Sequence, residues 1–287
     1  MGEELVDEYE GRVVESWDGF KWYVETDDDR LPLGEGEECI MRFLLKVADP
    51  SKIFLDVGAH VGEYTVRMSK RCGEVIAIEP NPRTIRILRR NIRLNDCDNI
   101  IIHQCAAADY DGVMCLYERG GSSTLLDIDT RRKGYEVPLK RLDDIVDEAD
   151  IVKIDVEGYE ERVVKGMMRI VKQCRPFIVI EHHEFRGYDI AGMRERIYGL
   201  LDDYHHLDVN GVHTIYIPKE YDLAGFPEVV AWAWIQRIIN NITSGKPWYF
   251  GLPHTWWYGA GIPDFIEALP RHILKEREWI ELLGEKA

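Results

Sequence analysis

Short, almost wholly apolar runs alternate with helical segments through the middle of the chain, and this alternation limits the possible folds more than any other feature. The runs are residues 53–55, 75–78, 100–102, 151–154 and 177–180. The helices predicted from the periodicity span residues 82–94, 159–171 and 190–201. Strands that are apolar on both faces lie in a parallel sheet that helices cover on both sides. The sequence therefore predicts an α/β fold built around a parallel sheet.

The end of this sheet departs from the parallel pattern. Residues 204–209 and 212–217 are both strand-like, and only Asn210-Gly211 separates them. Asn-Gly favours a type I′ turn, and a two-residue turn joins only antiparallel strands. A parallel sheet that closes with such a hairpin resembles the class I methyltransferase fold, a Rossmann-like, seven-stranded mixed sheet whose seventh strand is antiparallel beside the fifth.

Three regions are expected from the changes of pattern along the chain. Residues 1–50 are predicted to form a hairpin, with Asp18-Gly19 as its two-residue turn, and a helix that packs on the core. Residues 51–220 form the ligand-binding α/β domain, with two further strands in an insertion at residues 110–147. Residues 221–287 are predicted to form a helical, aromatic-rich C-terminal extension that covers the acceptor site or forms an oligomer interface.

The charge and the cysteine pattern exclude several classes of protein. The chain has 287 residues and a formal net charge of −16, which disfavours sustained binding to nucleic acid. No apolar run approaches the ~18 residues of a membrane span, and the acidic residues 1–5 lack the basic and apolar regions of a signal peptide. None of the six cysteines forms a C-x-x-C pair, so zinc-knuckle and thioredoxin-type motifs are excluded. We expect a cytoplasmic protein with reduced cysteines.

A glycine-containing loop follows the first strand of the sheet at residues 56–62. Its G-x-x-x-G spacing differs from the G-x-G-x-x-G that seats a pyrophosphate, and the sequence contains no P-loop motif. The spacing indicates a nucleoside ligand without phosphates, such as S-adenosylmethionine. Asp56 is placed to hold the loop amides and the ligand's ammonium group, and Glu79, which ends the second strand, to accept both ribose hydroxyls. His60 either contacts the ligand or only caps the following helix.

Several motifs of this region resemble those of the FkbM family of S-adenosylmethionine-dependent methyltransferases. They read Asp56-Val57-Gly58-Ala59-His60-Val61-Gly62-Glu63-Tyr64-Thr65, Glu79-Pro80, Leu142-Asp143, Lys153-Ile154-Asp155-Val156-Glu157-Gly158-Tyr159-Glu160, Gly166, Pro176 and Ile180-Glu181-His182. The family pattern has an asparagine at the place of His60. The resemblance implies O-methyl transfer and S-adenosylmethionine as the cofactor, with its adenine near Ala106 and Ala107. The cofactor-binding residues that it implies are Asp56, Gly58, His60, Gly62, Thr65, Glu79, Ala106 and Ala107.

Polar residues follow the fourth and fifth strands of the predicted sheet, where ligands of parallel sheets bind. They are Asp155, Glu157, Glu181, His182, His183 and Glu184. A base that removes the acceptor's hydroxyl proton accelerates O-methyl transfer. The catalytic residues that we expect are Asp155, Glu181 and His182, with Asp155 favoured as the base and His182 next. The same three side chains offer the ligands of a divalent cation, but no metal site is expected.

Other charged residues near these strand ends are expected to have structural roles. Lys153 and Asp155 are two residues apart and therefore share a face of their strand. We expect Lys153 to be buried and ion-paired, with Glu181 as a candidate partner. Glu157 is an alternative cap of the helix that follows it. The histidines of the terminal hairpin are expected at the surface or in packing; they are His205, His206 and His213.

An aromatic segment at residues 248–258 bears on the acceptor. Aromatic faces stack on sugar rings, although such a segment also packs cores or forms a homodimer interface. The negative charge disfavours a polyanion, so the predicted acceptor is a small molecule or glycan, methylated at a hydroxyl of a sugar, a glycan or a glycosylated metabolite. A non-catalytic cofactor-binding or scaffold protein stays open, as does an RNA ribose 2′-O-methyltransferase. The basic stripe of the latter would be Arg83, Arg86, Arg89, Arg90 and Arg93.

Overall fold

A computed structural model describes residues 11–26, 29, 37–119, 122–126, 134–183, 189–209 and 212–233 of the chain. The chain divides into two compact units, Met1–Arg237 and Ile238–Ala287. The predicted aromatic segment 248–258, the turn Asn210-Gly211 and Glu184 lie outside the described residues. Among the residues that are described, no helix combines the length and the apolarity needed to cross a bilayer.

The secondary structure of the first unit alternates as the sequence predicts. Its described strands are β1 Arg12–Glu15, β2 Lys21–Val24, β3 Ile53–Val57, β4 Glu74–Ile78, β5 Ile100–His103, β6 Ala106–Ala108, β7 Gly112–Arg119, β8 Ser122–Thr124, β9 Gly134–Arg141, β10 Ile151–Ile154, β11 Phe177–Glu181, β12 Tyr204–Val209 and β13 His213–Pro218. Its described helices are α1 Glu38–Val47, α2 Glu63–Ser69, α3 Pro82–Leu94, α4 Leu142–Ile145, α5 Glu160–Gly166, α6 Met168–Cys174 and α7 Ile190–Leu200. A 3₁₀ turn at Leu223–Gly225 precedes a helical stretch at residues 227–233.

Seven strands form one sheet in the order β12-β13-β11-β10-β3-β4-β5. The strands β11, β10, β3, β4 and β5 are parallel to one another. Strand β13 is antiparallel to both β11 and β12, and Glu181 lies opposite His213. This order, with its reversed strand β13, confirms the predicted class I methyltransferase fold. The central strands β3, β4, β10 and β11 are buried on both faces as their apolar runs predict, whereas β5 at the edge of the sheet exposes Ile101.

The insertion forms a second sheet together with β6, which precedes it in the chain, in the order β6-β9-β7-β8. The two strands predicted there correspond to β7 and β9, which pair antiparallel. The short strands β6 and β8 are not predicted from the sequence, because each has only three residues and depends on its partner. Thr124 of this sheet donates its hydroxyl proton to the backbone oxygen of Glu157 at 2.7 Å, so the insertion is tied to the loop after β10.

The N-terminal hairpin and the helix α1 form as predicted, but the hairpin turn is longer. Glu15 pairs with Lys21, so residues 16–20 connect the strands instead of two residues. The hydroxyl of Ser16 contacts Asp18 and accepts the indole N–H of Trp22 at 2.9 Å. These side-chain bonds, together with a backbone bond from Ser16 N–H to the oxygen of Phe20 at 2.9 Å, stabilise the wider turn.

The helix predicted over residues 159–171 is broken at Met167 into α5 and α6. The carboxylate of Asp143 accepts the backbone N–H groups of Arg169 and Ile170, at 2.9 and 3.1 Å. These donors have no partner inside a helix that begins at Met168, and a carboxylate near a helix N-terminus stabilises them. The partner that ends one helix and begins the next is distant in sequence, so the periodicity alone does not reveal it.

Candidate active site

A cavity opens at the carboxyl ends of β3, β4 and β10, between the two sheets. Strand-end loops form the floor of this cavity, and the insertion contributes one wall. Glu37, the residue before α1, contributes to another wall. Its lining includes Glu37, Asp56, Gly58, His60, Glu63, Tyr64, Glu79, Ala106, Ala107, Lys153, Asp155 and Glu157. The structure thus brings most of the predicted site residues to one place. Four that do not line the cavity are Gly62, Thr65, Glu181 and His182.

The glycine loop turns under the cavity by means of backbone hydrogen bonds. The N–H groups of Gly58 and Ala59 both donate to the carbonyl oxygen of Ile78, at 2.9 and 3.1 Å. Gly58 has a φ of +87°, and a Cβ there would lie 1.7 Å from the carbonyl oxygen of Asp155. No other residue fits this crossing of two strand ends. The loop amides are therefore held by Ile78 and not, as expected, by Asp56.

His60 occupies the left-handed region, with a φ of +49°. Asparagine and histidine are both enriched in this conformation among residues other than glycine. This accounts for a histidine at a position where the family pattern has asparagine. The backbone N–H of His60 donates to Glu79 Oε2 at 2.9 Å, so its main chain connects the two strand ends that line the cavity.

Asp56 and Glu79 are carboxylates almost completely removed from solvent, at 2% and 6% exposure. Glu79 Oε1 accepts the N–H of Asn81 at 2.8 Å, and Asn81 in turn caps α3. Asp56 Oδ2 accepts the hydroxyl of Thr65 at 2.5 Å. Burial is the main cause that raises the pKa of Asp56 to about 6 and that of Glu79 to about 7. Thr65 is fully buried and reaches the cavity only through Asp56.

Lys153 and Asp155 form an ion pair at the cavity floor, with Nζ 2.9 Å from Oδ2. Lys153 is 2% exposed, and its ammonium also lies 4.6 Å from the ring centre of Tyr64. The prediction of a buried, ion-paired lysine is confirmed, although the hydrogen-bonded partner is Asp155 and not Glu181. Burial acts to raise the pKa of Asp155, but Lys153 and His183 outweigh it and hold that pKa at about 2.

The two histidines after β11 point in different directions. His182 is 1% exposed, its Nε2 lies 3.2 Å from the hydroxyl of Thr214, and burial lowers its pKa to about 3. His183 faces the other side, where its Nε2 lies 3.5 Å from both Asp155 Oδ1 and Glu181 Oε1. The structure therefore does not bring His182 to Asp155 and Glu181, and it places His183 there. β11 ends at Glu181, but the backbone N–H of His182 still donates to the oxygen of Val212 at 2.8 Å, so the strand alternation continues and residues 181 and 183 share a face.

His213 extends this cluster along the sheet. It is buried, and its Nε2 lies 3.3 Å from Glu181 Oε2 and 3.6 Å from Glu37 Oε2. Glu37 also accepts the phenolic hydroxyl of Tyr64. His213 is thus part of the candidate site and not a surface or packing residue, and Glu37 is a further member that the sequence did not reveal. The cross-strand pairing of Glu181 with His213 is the signal that could have identified His213.

The cluster has the donor spacing of a cation site but already contains positive groups. The ligand atoms of Asp155, Glu181 and His183 lie within 4.8 Å of one another, as do those of Glu37, Glu181 and His213. Within the described residues the ammonium of Lys153 pairs with Asp155, and acidic neighbours raise the pKa of both His183 and His213 against the effect of burial. We therefore assign no metal to this cluster.

The cavity fits the predicted cofactor. The small, apolar side chains of Ala106 and Ala107 line the same cavity as Glu79, which suits a flat adenine together with ribose hydroxyls. Asp56, Glu63 and Asp155 also line the cavity. This excess of carboxylates suits the sulfonium and ammonium of S-adenosylmethionine.

Two curated relatives of this chain are both named methyltransferases. The profile of the methyltransferase FkbM domain matches residues 56–209. The methyltransferase sdnD of Sordaria araneosa is 28% identical over 215 residues, 61% of this chain and 81% of sdnD. The hexuronic acid methyltransferase AglP of Haloferax volcanii is 28% identical over 162 residues, 52% of this chain and 63% of AglP.

The methyltransferase FkbM of Methylobacillus flagellatus KT is similar with a TM-score of 0.44 and 21% identity, over 58% of this chain and 44% of that protein. This chain therefore spans less than two thirds of AglP and less than half of the M. flagellatus protein.

Proposed function

The chain belongs to the family of methyltransferases that share the FkbM domain, and from this membership we propose that it methylates a hydroxyl group of a sugar, a glycan or a glycosylated metabolite. It is an S-adenosylmethionine-dependent methyltransferase. The observation that carries the O-methyl assignment is the group of carboxylates and imidazoles at the ends of β10 and β11, beside the cavity. An alcohol must lose a proton on methylation, and these side chains accept and hold protons.

The cofactor-binding residues are proposed from the cavity wall. Glu79 binds the ribose, Ala106 and Ala107 contact the adenine, and Asp56 attracts the ammonium group. Gly58 and His60 supply backbone that approaches the ligand closely, whereas Gly62 and Thr65 support this loop from behind. When bound, S-adenosylmethionine supplies a methyl group attached to a positively charged sulfur.

A sugar acceptor is supported by one relative and by the charge of the site. AglP is by its name a hexuronic acid methyltransferase, and it shares 28% identity with this chain over 162 residues. A cavity with several carboxylates repels phosphates and other polyanions. A hydroxyl-rich acceptor of low negative charge suits it better, because hydroxyls donate hydrogen bonds to carboxylates.

RNA is the weaker candidate, because the arginine stripe on α3 is largely occupied by the protein itself. Arg83 pairs with Asp29 at 2.8 Å, and Arg86 pairs with Glu25 at 2.6 Å. The guanidinium of Arg90 stacks 3.6 Å from the ring centre of Tyr23. A non-catalytic scaffold is also disfavoured, since the acidic groups that suit cofactor and proton transfer are all present around the cavity.

An acceptor screen tests the proposal directly. The full chain is incubated with S-adenosylmethionine and a panel of neutral glycosides, amino sugars, uronic acids and a short oligoribonucleotide, and products are detected by a mass gain of one methyl group. We expect gain on a glycoside hydroxyl, located by fragmentation, and a reduced yield of product for Asp155→Asn. The matched control Asp144→Asn, on the exposed side of α4, keeps full turnover. Transfer only to a carboxylate, an amine or the oligoribonucleotide contradicts the proposal.

A further inference from the structure

The two ring nitrogens of His183 have different surroundings. Nδ1 lies 3.1 Å from Glu160 Oε1, whereas Nε2 faces Asp155 Oδ1 at 3.5 Å and Glu157 Oε1 at 3.6 Å. Asp155 and Glu157 both line the cavity, and His183 lies directly behind them with its side chain 18% exposed. The ring therefore lies between a buried carboxylate on one side and the wall of the reaction cavity on the other.

The carboxylate of Glu160 is placed to hold the ring of His183 in one orientation. It is 0% exposed at the start of α5, and its Oε1 also accepts the backbone N–H of Gly158 at 2.9 Å. An ionised carboxylate only accepts hydrogen bonds, so the partner nitrogen of the imidazole must carry a proton. A neutral His183 held in this way has its proton on Nδ1 and its lone pair on Nε2, which faces the cavity wall.

Neither of the bases predicted from the sequence has this arrangement. Asp155 is hydrogen-bonded to Lys153, and the resulting low pKa makes it a weak proton acceptor. His182 is buried on the far side, beside Thr214. A general base works best when its pKa lies close to the pH of the reaction, and the pKa values of Asp155 and His182, about 2 and about 3, lie far below neutral pH.

We propose that Glu160 and His183 act as a pair, in which Glu160 fixes the Nδ1–H tautomer and His183 takes the acceptor's proton at Nε2. This inference rests on the proposed function. As the acceptor oxygen bonds to the methyl carbon, the carbon–sulfur bond breaks and leaves its electron pair on sulfur. The O–H bond breaks and its proton passes to Nε2, so His183 becomes an imidazolium. Glu160 is a positioning residue, and its carboxylate stabilises this positive ring.

Charged groups surround His183 from each described element that packs against it. Asp155 and Glu157 follow β10, Glu160 begins α5, and Glu181 ends β11. Lys153 lies behind Asp155, and His213 lies behind Glu181. Burial acts to lower the pKa of His183, but the carboxylates outweigh it, with Glu160 foremost, and raise that pKa to about 9. The fraction of His183 that is able to act as a base therefore increases as the pH rises toward 9.

The tautomer can be measured without knowledge of the acceptor. The full chain, labelled with ¹⁵N in its histidines, is saturated with S-adenosylhomocysteine, and the ring nitrogens are followed by NMR across the titration. His183→Gln identifies the resonances of His183. We expect that, above the midpoint of the titration, Nδ1 carries the proton and Nε2 does not.

Two substitutions of Glu160 separate charge from orientation. Glu160→Gln keeps a carbonyl acceptor but removes the charge, so the tautomer is retained while the titration midpoint of His183 falls by about 1 to 3 pH units. Glu160→Ala removes both, and the Nδ1–H preference is lost. Glu161→Gln is the matched control, because the neighbouring Glu161 pairs with Lys165 and Arg196 and not with His183.

The outcomes distinguish this inference from the proposed function. An Nε2–H tautomer, or a midpoint that Glu160→Gln leaves unchanged while the fold is intact by circular dichroism, overturns the pair. Binding of Zn²⁺ or Mg²⁺ that shifts the His183 resonances and that activity requires also overturns it. Absence of methyl transfer to every acceptor in the panel, with the expected tautomer present, contradicts the proposed function. The tautomer held by Glu160 then stands, whereas the proton transfer to Nε2 is overturned with the function.

Discussion

Lys153 of β10 and Asp155, which directly follows that strand, are two residues apart, and their side chains meet at 2.9 Å on the floor of the cavity. The ammonium is almost fully buried, and the carboxylate is 28% exposed to the cavity. A buried charge that loses its partner typically costs about 3–5 kcal/mol. This pair therefore links the stability of the sheet to the electrostatics of the site.

Loss of the lysine should both destabilise the protein and change its response to acid. Lys153→Met leaves Asp155 without its partner, and we expect a loss of about 3–5 kcal/mol in the free energy of unfolding at pH 7. The folded pKa of Asp155 is about 2, below its ordinary value of 3.8, so its stabilising contribution is complete above pH 3.8 and is lost as the pH falls toward 2. Urea denaturation between pH 2 and 7 measures both effects. A wild-type acid response unchanged in the variant contradicts the assignment.

Cofactor affinity should depend on the ionisation of Glu79. Glu79→Ala and Asp56→Ala each remove charged hydrogen bonds worth about 1.5–3 kcal/mol, so the affinity for S-adenosylmethionine should weaken roughly tenfold or more. Because burial raises the pKa of Glu79 to about 7, affinity should increase between pH 6 and 8 as the carboxylate ionises. Isothermal titration at three pH values checks this. Glu79→Gln should flatten the pH dependence, and Glu74→Gln, at the other end of the same strand, should not.

The strand ends explain which parts of the site the sequence predicts. Asp56, Glu79 and Asp155 directly follow apolar runs, so their places at the sheet edge follow from local pattern. The choice between His182 and His183 needed the alternation of side chains along β11, the same rule that pairs Lys153 with Asp155. Continued past the end of β11, this alternation predicts His183 beside Glu181.

Contacts between segments that are distant in sequence cannot be predicted from local pattern. Glu37 precedes α1 and reaches His213 only because the fold packs that helix beside β13, and Asp143 breaks a helix that lies more than twenty residues later. Their side chains carry no local signal, since a glutamate before a helix and an aspartate in a short turn are common. Tertiary packing decides their roles.

The close approach of the glycine loop to the end of β10 can be tested by substitution of Gly58. At Gly58, with a φ of +87°, a Cβ would collide with the backbone oxygen of Asp155, so Gly58→Ala should abolish cofactor binding and lower the melting temperature. Gly199 lies in α7 with nothing within 4 Å of its ideal Cβ. Gly199→Ala should stabilise the protein by about 0.5–1 kcal/mol, because alanine favours a helix. Equal effects of the two substitutions in thermal melts contradict the described loop.

Removal of metal ions should not change activity. The positive charges that balance the carboxylates of the site are Lys153 and the histidines, so no ion is needed to hold Asp155 and Glu181 close together. Turnover is measured before and after dialysis against a chelator, with total metal determined by mass spectrometry. Loss of turnover that a divalent cation restores would show that Asp155, Glu181 and His183 form a metal site.

The dependence of turnover on pH should separate the two candidate bases. If Asp155 takes the proton, its pKa of about 2 keeps it ionised throughout, and the rate is flat between pH 5 and 9. If His183 takes it, the rate rises toward pH 9, where the ring loses its proton. We expect the rising profile, and a loss of about 10²–10⁴-fold for His183→Gln.

Asp155→Asn removes one of the charges that raise the pKa of His183. The remaining activity of this variant should therefore rise at a lower pH than that of the wild type, by about 1 pH unit or more. A flat wild-type profile together with full loss in Asp155→Asn would return the role of base to Asp155.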